Sequence, residues 1–375
     1  MNIVVAPDSY KGSLSANEVA STIKEAILDI RDANISTKPM ADGGEGTIAA
    51  ILSATNGKKM ELTTAGPLGD QISTYYAILD NKVAIIETAL HAGLYQVPDD
   101  KRNPDLTTTY GMGEAILDTL DQGCTSFIIG LGGSATNDGG LGMLQALGLK
   151  AFDKDGNQIG PYGKDLLQLD SIDITHLDSR LFDADIRIAC DVDNPLCGPK
   201  GASAIYGPQK GATNQQIQQF DDALSYFATK IESELNQSLQ NVPGAGAAGG
   251  LGFAFLALQA KLESGASLIA KAIHLEEAIK EADLVFTGEG QSDEQTLFGK
   301  APGFVAELAN QHQVPTILLS GSLGERNEKL REKFAGCFSI VNKPLTLQEC
   351  MDKSQHLLFE QTKQILTLID QIRAR

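Results

Sequence analysis

Short apolar runs that stop at a glycine, a proline or an acidic residue, and then give way to helical periodicity, occur at both ends of this 375-residue chain. That recurrence points to a parallel α/β architecture at the ends, because a helix between two strands supplies the crossover that a parallel neighbour needs. Residues 2–6 are a β-rich run that ends at Pro7. Val19, Ile23, Ala26, Ile27 and Ile30 then repeat at helical spacing, with Ser15 as N-cap and Glu18 at the capping-box position. Residues 35–40 read as a second strand and 47–55 as a second helix. The same order returns late in the chain. Leu284, Val285 and Phe286 form a buried strand, followed by a helix over 302–312 and a strand over 314–319. A short strand at 340–341 and a long terminal helix over 348–372 complete the pattern.

The middle of the chain differs. Three strand-like runs, 60–65, 71–79 and 83–88, are joined by turns too short for a crossover, which favours antiparallel pairing. A helix over 107–120 leads into a strand at 126–131, a further strand lies at 186–190, and an amphipathic helix covers 214–235. At about 150 residues per domain the length suggests two domains. The expected fold class is therefore α/β: a parallel domain formed by both chain ends (1–60 and 282–375) and an inserted mixed α/β domain (61–281).

Charge and composition exclude several functions. Thirty basic and 48 acidic side chains give a net charge of −18, so the overall field repels nucleic acid and anionic lipid. The longest apolar stretch, 251–260, is too short to span a bilayer. Five cysteines without a C-x-x-C pair and an N-terminus without a basic, apolar leader pattern point to a reducing, cytoplasmic setting. The 38 glycines sit in short clusters, as tight loops require.

The densest cluster is GLGGSATNDGGLG, residues 130–142, between a strand and a helix. Gly132 and Gly133 permit close backbone approach, Ser134, Thr136 and Asn137 add polar side chains, and the helix N-terminus favours an anion. Four acidic loops place a carboxylate just beyond a strand end: Asp8, then Asp42 with Glu45, then Asp191 with Asp193, then Glu289 with Asp293. Ligands of open parallel sheets bind at those ends, and carboxylates gathered there suit Mg²⁺ or proton transfer. Each alone could be a turn or cap residue. Lys11, Arg102, Lys210 and Lys300 are the matching cations, each near Gly or Pro in a non-periodic stretch. Gly244, Gly246 and Gly249 spell a G-x-G-x-x-G without the preceding strand that dinucleotide binding needs. They read better as a small-residue helix start packed closely on a neighbour.

Taken together, APDSYKGSLSA, MADGGEGT, RNPDLTTTYGMGE, IIGLGGSATNDGGLGML, ACDVDNPLCGPKGAS, YGPQKGA, PGAGAAGGLGFA and FTGEGQSDEQTLFGKAP resemble the type I glycerate kinase family. Lys200 departs from the pattern, where a small polar residue is expected. The resemblance implies a Rossmann-like terminal domain, an inserted second domain and an active site between them. It also implies ATP- and Mg²⁺-dependent phosphorylation of glycerate, most often to 2-phosphoglycerate, in the breakdown of organic acids, by a monomer or homodimer. On that reading Asp191 and Asp293 are candidates for base or Mg²⁺ partner, with Glu289 as a further metal ligand, and Lys11 assists the transferring phosphate. Residues Gly132, Gly133, Ser134, Ala135, Thr136, Asn137 and Asp138 are the candidate phosphate loop, and Arg102 the candidate partner of the glycerate carboxylate. Asp8, Ser9, Asp42, Gly43, Gly44, Lys210, Gly288, Glu289 and Gly290 complete the candidate substrate-binding set.

Overall fold

The computed structural model describes residues 1–325 and 327–374. The chain divides into a terminal unit (Met1–Asp42, Ala49–Asn56, Ala266–Arg375) and an inserted unit (Gly43–Ile48, Gly57–Gly265). Residues 266–281 group with the chain ends and Gly43–Ile48 with the insert, a finer division than one cut on either side of the middle.

The terminal unit holds a five-stranded sheet in the order Gly336–Ser339, Thr316–Ser320, Leu284–Thr287, Asn2–Val5, Asn34–Thr37. Every pairing in it is parallel. The central strands Leu284–Thr287 and Thr316–Ser320 are buried throughout, as unbroken apolar runs covered on both faces must be. Helix Ala16–Ile30 begins at the Ser15–Glu18 capping box. It buries Val19, Ile23 and Ile27 in one core with Leu357, Leu358 and Ile365 of the last helix. Each such burial is worth about 1.5–3 kcal/mol.

Two sequence expectations are corrected here. The strand expected at 340–341 forms at Gly336–Ser339 instead, because Val341 N–H turns to Ser339 Oγ (3.1 Å) and leaves the ladder. The long terminal helix is two helices, Leu347–Asp352 and Ser354–Arg373. The Met351 carbonyl accepts from the hydroxyls of Ser354 (2.9 Å) and Ser13 (3.2 Å), so the helix can break at Lys353 without leaving that carbonyl unpaired.

The inserted unit holds a six-stranded mixed sheet in the order Lys261–Glu263, Asp185–Ala189, Ser126–Gly130, Val83–Glu87, Gln71–Ile78, Lys58–Ala65. The last three strands pair antiparallel and the first four parallel. Helix Asn214–Leu235 starts at a Thr213–Gln216 capping box and buries Phe220, Leu224, Phe227 and Ile231 along one stripe. Phe227 meets Phe253 edge to face, with ring centroids 6.2 Å apart. Among the described residues no helix is long and apolar enough to cross a membrane.

Candidate functional site

In the terminal unit the strand order reverses between Asn2–Val5 and Leu284–Thr287: the chain leaves the first toward Asn34–Thr37 and the other toward Thr316–Ser320. Such a switch point opens a crevice at the carboxyl ends of the strands. There the loops after the two strands are tied together, Asp8 N–H donating to the Gly288 carbonyl at 2.8 Å. Gly288 is required, since a Cβ at that position would stand 1.7 Å from the Leu319 carbonyl oxygen. Tyr10 hydroxyl also donates to that carbonyl (2.8 Å), which pins the first loop over the sheet.

A cavity of about 490 Å³ lies at this edge. Its polar wall carries Asp8, Lys11, Asp42, Glu289 and Lys300. Lys11 Nζ donates to Asp42 Oδ2 at 3.1 Å, and the Asp42 charge holds the lysine above its ordinary pKa. The Asp8 carboxyl is pushed up to about 7, chiefly by burial and then by the Asp42 charge. It accepts from the N–H of Ser9 (2.6 Å). Glu289 is buried and heavily used. Its Oε1 accepts from Ser292 Oγ (3.1 Å) and Thr296 Oγ1 (2.7 Å), and its Oε2 from Lys300 Nζ (3.2 Å). Asp293 lies outside the cavity lining and caps the turn Glu294–Leu297, accepting from Gln295 N–H at 2.8 Å.

In the inserted unit, the 130–142 loop is fastened on several sides. Gly132 N–H donates to the Gly43 carbonyl (3.3 Å) and Ala135 N–H to the Ala92 carbonyl (2.8 Å). Gly44 lies in the same turn, its carbonyl accepting from Thr47 Oγ1 at 2.8 Å. The loop's own anion is Asp138. It is fully buried and accepts from Thr109 N–H (3.0 Å), Thr109 Oγ1 (2.7 Å), Gly140 N–H (3.1 Å) and Gly142 N–H (3.3 Å). Met143 N–H goes to Thr109 Oγ1 (2.9 Å). The sequence expectation of an open anion site at this helix N-terminus is corrected: Asp138 and Thr109 already take those donors. Burial raises the Asp138 pKa and the four hydrogen bonds oppose it.

Lys210 is turned inward, 2% exposed, donating to Ser134 Oγ (2.9 Å) and the Thr136 carbonyl (2.7 Å). Burial pulls its pKa down to about 7. Asn137 Nδ2 donates to Ser203 Oγ at 2.9 Å, while Asn137 Oδ1 and Thr136 Oγ1 are buried without a partner. Gly133 remains the exposed point of the loop. Arg102 pairs with Asp99 at 2.6 Å, and its carbonyl lies 2.1 Å from where a Cβ of Gly211 would stand, next to Lys210. Asp191 is exposed after strand Asp185–Ala189 and accepts from Gly265 N–H at 3.1 Å. Gly249 supports the loop from below. Its φ is +71°, and a Cβ there would stand 1.9 Å from the Thr136 carbonyl oxygen, as the small-residue packing of the G-x-G-x-x-G stretch anticipates.

The structure thus gathers Asp8, Ser9, Lys11, Asp42, Glu289 and Gly290 around one cavity. It gathers Gly132 to Asp138, Lys210, Gly43 and Gly44 around one loop. Sequence reading missed Glu87, which accepts from the N–H groups of Ile48 and Gly46 (3.2 Å for the latter) and whose pKa burial pushes up to about 7. Its signal was available, an acid at a strand end like the four singled out. Thr109 and the cavity's apolar wall carried no such signal.

Residues 3–370 match the model of the glycerate kinase family. The chain is 45% identical over 367 residues to a glycerate kinase of Halalkalibacterium halodurans, covering 97% of each chain. It is 50% identical over 326 residues to the glycerate 2-kinase of Escherichia coli K12, covering 86% of each. Its fold matches a solved structure, assigned as a glycerate kinase 2 of Salmonella typhimurium LT2, with a TM-score of 0.90, 42% identity and complete coverage of both chains.

Proposed function

Because the chain belongs to the glycerate kinase family, we propose that it is a phosphotransferase that moves the γ-phosphoryl group of ATP to the 2-hydroxyl of glycerate, giving 2-phosphoglycerate and ADP. The 50% identity to a glycerate 2-kinase supports the position. Such a step belongs in the breakdown of organic acids that yield glycerate. The observation that carries the chemistry is the set Asp8, Lys11 and Asp42 on one wall of the strand-end cavity. A new bond forms between the hydroxyl oxygen and the γ-phosphorus, the bond to the bridging oxygen breaks, and the hydroxyl proton needs an acceptor. Asp8 is the acceptor we assign. It sits at the switch point, lines the cavity while accepting from Ser9 N–H, and burial pushes its pKa up to about 7, which suits proton transfer at neutral pH. Lys11 offsets the phosphoryl charge.

Among the described residues no group of three or more His, Cys, Asp or Glu side chains is arranged to hold a metal ion. That fits Mg²⁺, which binds through one or two carboxylates together with phosphate oxygens and water. Asp42 is the carboxylate we assign to it, because it lines the cavity beside Asp8 and Lys11. The ion would supply charge neutralisation for the phosphates of the donor at Asp42. In the inserted unit the turn at Gly132 and Gly133, of which Gly133 is exposed, is the assigned phosphate contact, with Lys210 as the residue that positions it. Arg102 is assigned to the substrate carboxylate.

Proton-coupled ³¹P spectra of the product test the reading. ADP release should require glycerate, and the new ester signal should be a doublet from the single C2 proton. A triplet from a CH₂ would assign the phosphate to C3, and glycerate-independent ADP release would remove the kinase reading itself.

A further inference from the structure

The cavity of the terminal unit has a second wall that the phosphoryl chemistry does not use. Ile340, Val341, Leu347, Cys350 and Met351 line it, facing the same space as Asp8, Lys11 and Lys300. Leu347 is 76% exposed, the highest value among the large apolar side chains of the described residues. It opens the short helix Leu347–Asp352, whose separation from Ser354–Arg373 at Lys353 brings it to the cavity. Its place there is fixed: Ser13 Oγ, from the loop that carries Asp8 and Lys11, donates to the Met351 carbonyl and to Ser354 Oγ (2.6 Å). A Cβ on Gly12 would stand 3.1 Å from Met351 Cε, so the acid-bearing loop and the apolar wall are in direct contact.

Water is a poor occupant for such a wall, since exposed apolar surface gains about 25 cal/mol for each Å² a ligand covers. Glycerate is a three-carbon hydroxy acid with nothing apolar to place there, and it is small against about 490 Å³. A purine nucleotide has both parts: a flat apolar ring system and an anionic tail. The volume lies within the usual range for a pocket that encloses such a ligand.

We propose that the nucleoside of the phosphoryl donor docks in this cavity, its base against Ile340, Val341, Leu347 and Met351 and its phosphates toward Lys11 and Lys300. The inference rests on the kinase reading above and adds the place and the residues of donor recognition. Helix Leu347–Asp352 is then a specificity element, and the loop–helix contact through Ser13 and Met351 sets the distance between base and phosphates.

Leu347→Glu tests it at a position too exposed to be needed for folding. KM for ATP should rise at least about fivefold, while KM for glycerate and kcat stay within about twofold. Calorimetric binding of ADP should weaken by the same factor, and Leu347→Met should restore it. ADP should also slow alkylation of Cys350 by N-ethylmaleimide, followed by peptide mass spectrometry, and glycerate should not. Unchanged ADP affinity in Leu347→Glu would overturn the docking site even if turnover is normal. ADP binding that weakens in the variant while glycerate drives no ADP release would keep the docking site and sink the kinase reading.

Discussion

Asp8 and Asp138 stand at comparable places in the two units, each in a glycine-bearing loop just past a parallel strand, yet the folds use them oppositely. Asp138 is fully buried and spends its oxygens on four donors from its own loop and from Thr109. Asp8 is half-buried, lines a cavity with Lys11 and Asp42, and accepts from the adjacent Ser9 N–H. One carboxylate builds a loop and the other faces a cavity. The burial that raises both pKa values is opposed by four hydrogen bonds in the insert, and in the terminal unit by the Ser9 N–H bond and then the Lys11 charge, while the Asp42 charge adds to the rise. A perturbed carboxyl by itself therefore does not mark chemistry; what its oxygens still face does.

The sharpest way to break this comparison is to remove the two charges separately. Asp8→Asn should lower kcat about a thousandfold, about 4 kcal/mol in barrier, with an unchanged circular dichroism spectrum. Asp191→Asn should cost less than about tenfold. The reverse ranking would move the proton acceptor to the inserted unit. Asp138→Asn should act on the fold: an amide nitrogen facing backbone donors leaves buried groups unpaired, for a loss of about 3 kcal/mol in denaturant unfolding. A stability change below about 1 kcal/mol would mean that the four hydrogen bonds do not hold the loop.

Lys11 and Lys210 extend the contrast to the cations. Lys11→Met should lower kcat by about tenfold to a hundredfold while changing KM for glycerate little, since it acts on charge that develops in transfer. A kcat within threefold of wild type would make Lys11 a solvated loop cation. Lys210 should show itself in pH dependence. Its folded pKa, near 7, lies below the ordinary lysine value of 10.5, so between those values the unfolded chain binds the extra proton. Stability contributed by this site therefore rises as pH increases from about 7 toward 10.5, and the penalty is complete below 7. Lys210→Met should flatten that part of the stability profile. The smallest effect is expected at Asp293→Asn, because Asn caps a turn nearly as well as Asp. Activity within threefold and stability within about 0.5 kcal/mol would confirm a capping role, and a large loss of kcat would return Asp293 to the chemistry.

Local rules carried much of the reading. The alternation of strand and helix at both ends, the antiparallel run of 58–87 and the helix over 214–235 follow from periodicity, caps and turn lengths, all of which act within a few residues. Glycines beside acids and cations at strand ends were also legible, because a parallel sheet delivers its loops to one edge. Tertiary structure decided what those residues do. Asp138 takes the Gly140 and Gly142 N–H groups from within its own loop, but Met143 N–H goes to Thr109 and Lys210 faces inward because partners tens of residues away reach them. The break at Lys353 depends on Ser13, 340 positions earlier in the chain, so helical periodicity over 348–372 had no means of announcing it. Nor could the pattern of apolar residues tell that Leu347 and Met351 line a cavity instead of a core, since burial is settled by what packs opposite a side chain and not by the side chain itself.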